Sequence, residues 1–294
     1  MKDRLCVACG NKKLKFLYVL YSSTFGNVEK KFSIVKCKKC GLIFIKNAPT
    51  EKELEEMYSS DYFDMTEHEM DISKFENRVT NWEIKRYNKI LKGIERNCKR
   101  GNLLEIGPGL GSFLVVARKK GWSVEGMEPS KMMAKYCREK LKINVNENFL
   151  EKAKYKEGTF SVVYMDNVFE HVLDPVKTLL IIKKWLKKDG LIVIEVPNEG
   201  GLLYTAVRVY KRIRQLFGIK NDEKLLQHMF YYDIKSMKQL MNKAGYEVVE
   251  VSTRDTSTTK GLNHILSMIQ RLLLAISKYS RNKGDILTVF ARRR

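Results

Sequence analysis

Residues 104–112 read LEIGPGLGS, a short run with one acidic residue followed by three glycines at alternate positions. Residues 103–106, which are apolar except for Glu105, predict a strand, and residues 112–120 predict a helix, so the glycines occupy a strand-to-helix turn. Gly107, Gly109 and Gly111 remove every Cβ that would keep a ligand away from the backbone at this turn. The turn therefore predicts a site for an adenylated ligand, with a bare tight turn as the alternative.

The spacing of the glycines bears on which ligand binds. A dinucleotide site has the spacing G-x-G-x-x-G and faces a pyrophosphate, whereas this chain has G-x-G-x-G with Glu105 two residues earlier. An acidic side chain at that point repels a pyrophosphate and suits an ammonium or sulfonium group. Glu128, at the end of the next predicted strand, is placed to accept hydrogen bonds from both ribose hydroxyls in either cofactor class.

Apolar runs and helical patterns alternate on both sides of the glycine turn, which is typical of an α/β fold around a parallel sheet. A long helix over 73–98 is predicted to lead into this region. Asp174 and Pro175 start a helix that Asp189 and Gly190 are expected to end. The further strands are predicted at 122–127, 143–145, 161–165 and 191–196, and the helices at 130–141 and 174–188.

In combination these motifs resemble class I S-adenosylmethionine-dependent methyltransferases, over about residues 73–292. The matching segments are the glycine turn with Glu105, Glu128, MDNVFEHVLDP at 165–175, EVPN at 195–198 and AGY at 244–246. The resemblance implies a Rossmann-like, seven-stranded α/β sheet whose last strand is antiparallel, with 246–253 and 285–291 as the final pair. It also implies S-adenosylmethionine as the cofactor.

The same resemblance implies roles for individual residues. Glu105 would organise the amino group of the cofactor, Glu128 would bind its ribose, and the loop 146–149 would lie near its adenine. The remaining cofactor-binding candidates are Gly107, Gly109, Gly111, Met127, Met133, Asp166 and Asn167.

Four of the six cysteines form two C-x-x-C-G motifs, at Cys6 and Cys9 and at Cys37 and Cys40. Two such knuckles supply the four thiolates of a structural zinc site, whereas disulfides and a redox C-x-x-C are the alternatives. We therefore predict a zinc ribbon at 1–48, a linker with a short helix at 49–72, and a catalytic domain at 73–294 with insertions at about 200–228 and 256–284. A ribbon and Tyr-rich linker of this kind resemble methyltransferases associated with glycan or deoxysugar modification.

Methyl transfer requires alignment of the acceptor and, for an acceptor that loses a proton, a base. Glu170 and His171 follow the fourth strand at the edge where open α/β sheets place their active sites. They are candidates for a base with its orienting partner, and the alternative is that they cap and pack the next turn. His228 is the second candidate for the base.

The net charge of +21 is concentrated at the two ends of the chain. Residues 1–50 carry 11 Lys and Arg against 2 Asp and Glu, and residues 201–294 carry 18 against 7. Basic ends attract phosphates of nucleic acid, anionic lipid or a nucleotide-linked substrate alike. The resemblance of the ribbon and linker, together with the nearly neutral catalytic region, implies an anionic or lipid-linked small molecule, sugar or glycan as the acceptor, and RNA bound by the ribbon is the alternative. A non-catalytic scaffold is a third class, which the intact glycine motif disfavours.

Both insertions contain a basic amphipathic pattern. Apolar residues recur at helical spacing over 203–217 and again over 262–276, and basic residues accompany both patterns. The two patterns predict either a lid, packed on itself or on a homodimer mate, or a surface that binds anionic lipid. The chain lacks a run long enough to span a membrane, and its first residues do not resemble a secretion signal, so we expect a cytoplasmic protein that works at the inner face of the membrane.

Overall fold

The structure, a computed structural model, describes residues 5–22, 30–53, 79–222, 228–255 and 282–294. Its strands are β1 Leu14–Ser22, β2 Lys30–Cys37, β3 Ile43–Ile45, β4 Asn102–Ile106, β5 Ser123–Met127, β6 Asn144–Asn146, β7 Phe160–Asp166, β8 Leu186–Pro197, β9 Phe230–Tyr231, β10 Tyr246–Arg254 and β11 Ile286–Arg293. Its helices are α1 Asn81–Asn97, α2 Ser112–Lys119, α3 Lys131–Glu139, α4 Pro175–Trp185, α5 Leu202–Leu216 and α6 Ile234–Lys243.

Seven strands form the large sheet in the order β10-β11-β8-β7-β4-β5-β6. Strand β11 runs antiparallel to both of its neighbours, and the pairs from β8 to β6 are parallel. The predicted α/β class and seven-stranded sheet with an antiparallel last strand are confirmed. The carboxyl ends of β4, β5, β7 and β8 therefore meet at one edge, where open α/β sheets bind their ligands.

The two faces of the large sheet have separate cores because neighbouring strand residues point to opposite sides. Helices α1, α2 and α3 cover the face that receives Leu103, Tyr164 and Val193. Helices α4 and α6 cover the other face, where Leu104 and Ile194 belong to a core that continues into the N-terminal ribbon.

The ribbon is joined to the large domain by a shared sheet. Strands β1, β2 and β3 form its antiparallel sheet, and β9, from far along the chain, adds a fourth strand beside β3. The backbone N–H of Ile45 also donates to the carbonyl of Met229 at 3.1 Å. Since the ribbon core alone is small, this shared packing gives it apolar area that a separate module would lack.

The helix predicted over 174–188 begins as expected but ends early. Asp174 caps its start by accepting from the N–H groups of Val176 and Lys177, and Pro175 follows at the first helical position. The predicted end at Asp189 and Gly190 is wrong, because α4 ends at Trp185 and residues 186–190 already belong to β8. The cause is tertiary pairing, since Leu186 pairs with Phe160 before the register shifts.

Among the described residues, no helix is long and apolar enough to cross a membrane. Several predicted features lie outside the described residues: the aromatic part of the linker, the start of the helix over 73–98, and the apolar pattern over 262–276. The other two of the four histidines, His68 and His264, lie there too.

Candidate functional site

A cavity of about 450 Å³ opens at the carboxyl edge of the large sheet. The last residue of each of three neighbouring strands and the residue that follows it line the cavity: Ile106 and Gly107 at β4, Met127 and Glu128 at β5, and Asp166 and Asn167 at β7. Its volume lies in the range of sites for small molecules and cofactors. Seven of the nine predicted cofactor residues line this one cavity, and Glu105 and Gly111 do not.

The three glycines of the turn have different tasks, although all have positive φ angles, of 72°, 53° and 74° in chain order. A Cβ on Gly111 would meet Leu141 at 2.8 Å and Cys137 at 3.0 Å, so this glycine lets α3 and the chain after it pack closely, and it does not line the cavity. Within the part of the chain that the structure describes, a Cβ on Gly109 would meet only the sulfur of Met133, at 4.0 Å, and would stand in the cavity.

Glu128 is buried at the end of β5 and stabilises the glycine turn. Its Oε2 accepts from the backbone N–H of Gly109 and its Oε1 from that of Ser130, both at 3.0 Å. Burial raises the pKa of Glu128 above its ordinary value, and the two N–H donors oppose that shift. Each carboxylate oxygen can accept a second hydrogen bond, so Glu128 can still receive ribose hydroxyls.

The other end of the cavity suits adenine. Met127 and Met133 contribute apolar surface, and Asn148, Phe149 and Leu150 supply a loop with polar and apolar groups. This loop contains the segment predicted to lie near the adenine.

Glu105 lies behind the cavity and does not line it. Its Oε2 is buried with no hydrogen-bond partner among the described residues. Burial, together with the charge of Asp166, raises the pKa of Glu105 well above its ordinary value. The orphaned oxygen fits a role toward a cationic group of the ligand through a bridging water.

Asp166 is part of a buried charge network that also contains Arg86 and Glu195. The guanidinium of Arg86 donates to Asp166 at 2.5 Å and to Glu195 at 2.6 Å. Two further groups donate to Glu195: the hydroxyl of Tyr164 at 2.7 Å and the guanidinium of Arg254 at 3.2 Å. Burial acts to raise the pKa of Glu195, but the two arginines hold that pKa below its ordinary value. The network fixes α1 against the carboxyl edge of the sheet.

Glu170, His171 and His228 come together beside the cavity. The Nε2 atoms of His171 and His228 lie 3.8 and 4.0 Å from Oε1 of Glu170, which is longer than a hydrogen bond. Burial raises the pKa of Glu170 to about 8, and burial with the neighbouring His171 lowers the pKa of His228 to about 3. His171 lines the cavity, and Glu170 and His228 lie behind it.

The four ribbon cysteines converge as the C-x-x-C spacing predicts. The sulfurs of Cys6 and Cys40 lie 3.5 Å apart, as do those of Cys9 and Cys37, and all four lie within 4.8 Å of one another. A disulfide would require about 2.0 Å, whereas zinc–sulfur bonds of about 2.3 Å place tetrahedral sulfurs about 3.8 Å apart. The residues present therefore fit a four-thiolate zinc ion.

A family model described as a methyltransferase domain matches residues 82–251, which include the glycine turn and every lining residue of the cavity from Ile106 to Lys177. The chain belongs to the methyltransferase-domain family. It is therefore an enzyme that uses S-adenosylmethionine, and the cavity at the carboxyl edge contains the residues that would hold this cofactor.

Relatives and solved structures agree with this family. An uncharacterized methyltransferase of Bacillus cytotoxicus is 29% identical over 169 residues, which cover 55% of this chain and 76% of that protein. One of Staphylococcus carnosus is 23% identical over 165 residues, with 54% and 76% covered. A methyltransferase structure from Archaeoglobus fulgidus matches with a TM-score of 0.50 and 17% identity, over 79% of this chain and all of that chain. At this identity the structure shows the fold alone.

Sequence reasoning missed Arg86 in this methyltransferase. A signal was present, because Trp82, Arg86, Ile90 and Ile94 follow one another at steps of four in α1, so the arginine interrupts an otherwise apolar stripe. A charged residue on a buried helix face indicates a buried partner.

We predict that Arg86→Gln lowers the free energy of unfolding by about 3–5 kcal/mol, because it leaves the buried carboxylates of Asp166 and Glu195 without their shared cation. The matched control is Arg96→Gln on the same helix, which breaks an ion pair between Glu250 and an exposed arginine and should cost less than about 1 kcal/mol. Urea unfolding of both variants measures this difference, and equal losses would contradict the role assigned to the network.

Proposed function

We propose that this methyltransferase modifies an anionic small molecule, sugar or glycan carried on a lipid, as a peripheral protein at the inner face of the cytoplasmic membrane. The sulfonium of the cofactor supplies an activated methyl group, so the protein must align the acceptor. The reaction joins the methyl carbon to the acceptor, breaks the carbon–sulfur bond, and releases S-adenosylhomocysteine and, from a hydroxyl or amine, a proton. His171 and its neighbours Glu170 and His228 are the groups placed to act on that acceptor.

The observation that carries the membrane proposal is an exposed apolar stripe on α5. Val209, Ile213, Leu216 and Phe217 recur at helical spacing, and Leu216 and Phe217 are 84% and 77% exposed. Arg212 is exposed within the same stripe. A helix with several exposed apolar side chains and adjacent basic residues binds at the interface of an anionic bilayer. Each basic residue near the surface contributes about 1 kcal/mol to that binding.

The opposite side of α5 is fixed to the ribbon, which leaves the stripe facing outward. The side chain of Gln215 accepts from the backbone N–H of Val19 at 2.9 Å, and the backbone N–H of Tyr21 donates to the carbonyl of Asn221, just beyond the helix, at 2.9 Å. Helix α5 begins shortly after β8, at the edge of the sheet where the cavity opens. A membrane on this stripe would therefore lie near the edge where the cofactor cavity is found.

Arg208 and Arg212 are two of the basic residues that accompany the apolar pattern over 203–217. Arg208 pairs with the mostly buried Glu199 and so does not belong to the exposed face. Arg212 is exposed and is therefore the better residue for a test of lipid binding. The lid and the homodimer mate remain alternative occupants of the stripe.

The ribbon gives little support to the alternative of RNA binding. Unspecific RNA recognition would use exposed aromatic rings between the basic residues. Of the four aromatic residues that alternate with basic residues in the ribbon, Tyr18 and Phe32 are buried in its core. Phe16 is half exposed, and Tyr21 is partly exposed with Lys31 and Lys220 over its ring. Two of the four rings are thus unavailable for stacking on bases, which favours an anionic small acceptor over RNA.

The acceptor class can be tested with labelled S-adenosylmethionine. Purified protein should transfer label into a cell glycolipid or nucleotide-sugar extract and not into total RNA. Label that enters RNA and neither of the other extracts would overturn the proposed acceptor while leaving the methyltransferase assignment intact.

We predict that the protein sediments with anionic liposomes and less with neutral ones, and that Arg212→Glu combined with Phe217→Ser lowers the bound fraction several-fold. Leu180→Ser is the matched control, since Leu180 is an exposed apolar residue on α4, away from the stripe. Because surface charges are screened by salt, binding should also weaken at moderate ionic strength. Unchanged pelleting of the double variant, or none by the unaltered protein, would leave only the lid or the dimer.

A further inference from the structure

Glu170, His171 and His228 form a compact cluster although the last is far from the others in the chain. Strand β7 ends just before Glu170, and the chain before β9 brings in His228. The backbone N–H groups of Met229 and Phe230 donate to the carbonyl of Glu170 at 2.8 and 3.2 Å. These two hydrogen bonds fix the position of the distant histidine against the carboxylate.

The carboxylate of Glu170 is buried, with 1% of the residue exposed. Neither of its oxygens has a hydrogen-bond partner among the described residues. A buried carboxylate without a partner is strongly destabilising, and such groups in native proteins require an explanation. Protonation of Glu170 is one explanation and a bound cation is another.

The distances favour a cation. A hydrogen bond between a ring nitrogen and a carboxylate needs about 2.7–3.2 Å, and the observed separations of 3.8 and 4.0 Å are too long. Two ligands that each lie about 2.1 Å from one ion stand about 3.0 Å apart at a right angle and about 4.2 Å apart in line. The candidate ligand atoms, which all lie within 4.8 Å of one another, are thus spaced to share an ion after a small contraction.

The two imidazole rings are also arranged edge to face, with centroids 5.1 Å apart and an interplanar angle of 72°. In this arrangement both Nε2 atoms approach the same carboxylate oxygen, Oε1 of Glu170. The cluster thus presents two nitrogen ligands and one oxygen ligand to a single point.

We propose that Glu170, His171 and His228 bind one divalent transition-metal ion, with open coordination positions toward the cofactor cavity that His171 lines. Two imidazoles and one carboxylate suit ions such as Zn²⁺, Mn²⁺, Fe²⁺ and Co²⁺. An oxygen of the methyl acceptor would complete the coordination, and the ion would lower the pKa of an acceptor hydroxyl, which then loses its proton to solvent before methyl transfer. This use of the ion rests on the proposed function, whereas the metal site itself does not.

Cobalt provides a probe that separates this site from the ribbon. Co²⁺ added to the full-length protein as purified should bind at one equivalent per chain and give the visible spectrum of nitrogen and oxygen ligands. Thiolate charge-transfer absorption would instead report entry into the ribbon cysteines. Calorimetry of the same titration gives the affinity.

Glu170→Gln should weaken Co²⁺ at least about 100-fold, because the loss of a direct ligand should cost at least as much as the loss of an outer-shell partner. His228→Gln should have a similar effect and provides a second, independent variant. Glu139→Gln, an exposed carboxylate on α3, is the matched control and should bind Co²⁺ as the unaltered protein does. Unchanged affinity for S-adenosylhomocysteine in each variant shows that the fold is retained.

The proposal is overturned if the unaltered protein takes up no Co²⁺ outside the ribbon, or if both ligand variants bind Co²⁺ as tightly as the control. Co²⁺ binding without methylation of a lipid-linked acceptor would preserve the metal site and refute the proposed acceptor. Methylation of that acceptor by a protein that binds no second ion would support the proposed acceptor and refute the metal site.

Discussion

Gly109→Val should abolish measurable binding of S-adenosylmethionine. The added side chain would stand in the cavity near the sulfur of Met133 and would occupy space that the ligand needs. The φ angle of 53° is also unfavourable for a β-branched residue, so the turn itself would move. Calorimetry with S-adenosylhomocysteine measures the loss of affinity. We expect the loss to exceed about 100-fold, or about 2.8 kcal/mol, because steric exclusion of the ligand and displacement of the turn both oppose binding.

Gly158→Val is the matched control for this substitution. Gly158 has a φ angle of +68°, and no atom of the described residues lies within 4 Å of its Cβ position. It precedes β7, at the opposite edge of the sheet from the cavity. This variant should suffer comparable backbone strain while it binds S-adenosylhomocysteine normally. Equal loss of binding in both variants would show that strain, and not the cavity, explains the effect.

Cys37→Ser should release the ribbon metal and lower turnover. Cys37 is not a lining residue of the cavity, so this effect would be indirect. Four thiolates hold a structural zinc ion so tightly that its binding energy, about 10–16 kcal/mol in small zinc modules, becomes folding energy. Strand β3 of the ribbon pairs with β9, and the residues before β9 place His228 against Glu170. Loss of the ribbon should therefore displace His228 while the glycine turn and its cofactor affinity are retained.

Metal analysis and S-adenosylhomocysteine titration of the same samples measure these effects. Cys98→Ser is the control, because Cys98 is a half-buried thiol outside the ribbon cluster. We expect about one zinc ion per chain in the ribbon of the control and little in Cys37→Ser. A preparation never exposed to chelator that contains no zinc would end the assignment of the ribbon as a zinc site.

Local patterns predicted the large sheet, and they were enough to bring most of the candidate cofactor residues to one cavity. The alternation of apolar runs with helical patterns specifies a parallel sheet, and parallel strands bring their carboxyl ends to one edge. Glu128 and Asp166 follow two such strands, so their meeting at the cavity required no long-range information. The C-x-x-C spacing likewise specified the two knuckles of the ribbon.

Other features depended on contacts between distant segments and left little trace in the sequence. A two-residue strand such as β9 has no periodicity, so its pairing with the ribbon could not be read from the sequence. The approach of His228 to Glu170 follows from that pairing. The early end of α4 has the same kind of cause, because pairing of Leu186 with β7 overrides the local helical pattern.

The central claim is that the cavity beside Gly109 and Glu128 binds S-adenosylmethionine for methyl transfer. Calorimetry of the unaltered protein with S-adenosylhomocysteine and, separately, with NAD tests this most directly. The account predicts one S-adenosylhomocysteine bound per chain and no detectable NAD binding, because G-x-G-x-G with Glu105 behind it disfavours a pyrophosphate. Tight NAD binding without binding of S-adenosylhomocysteine would contradict it.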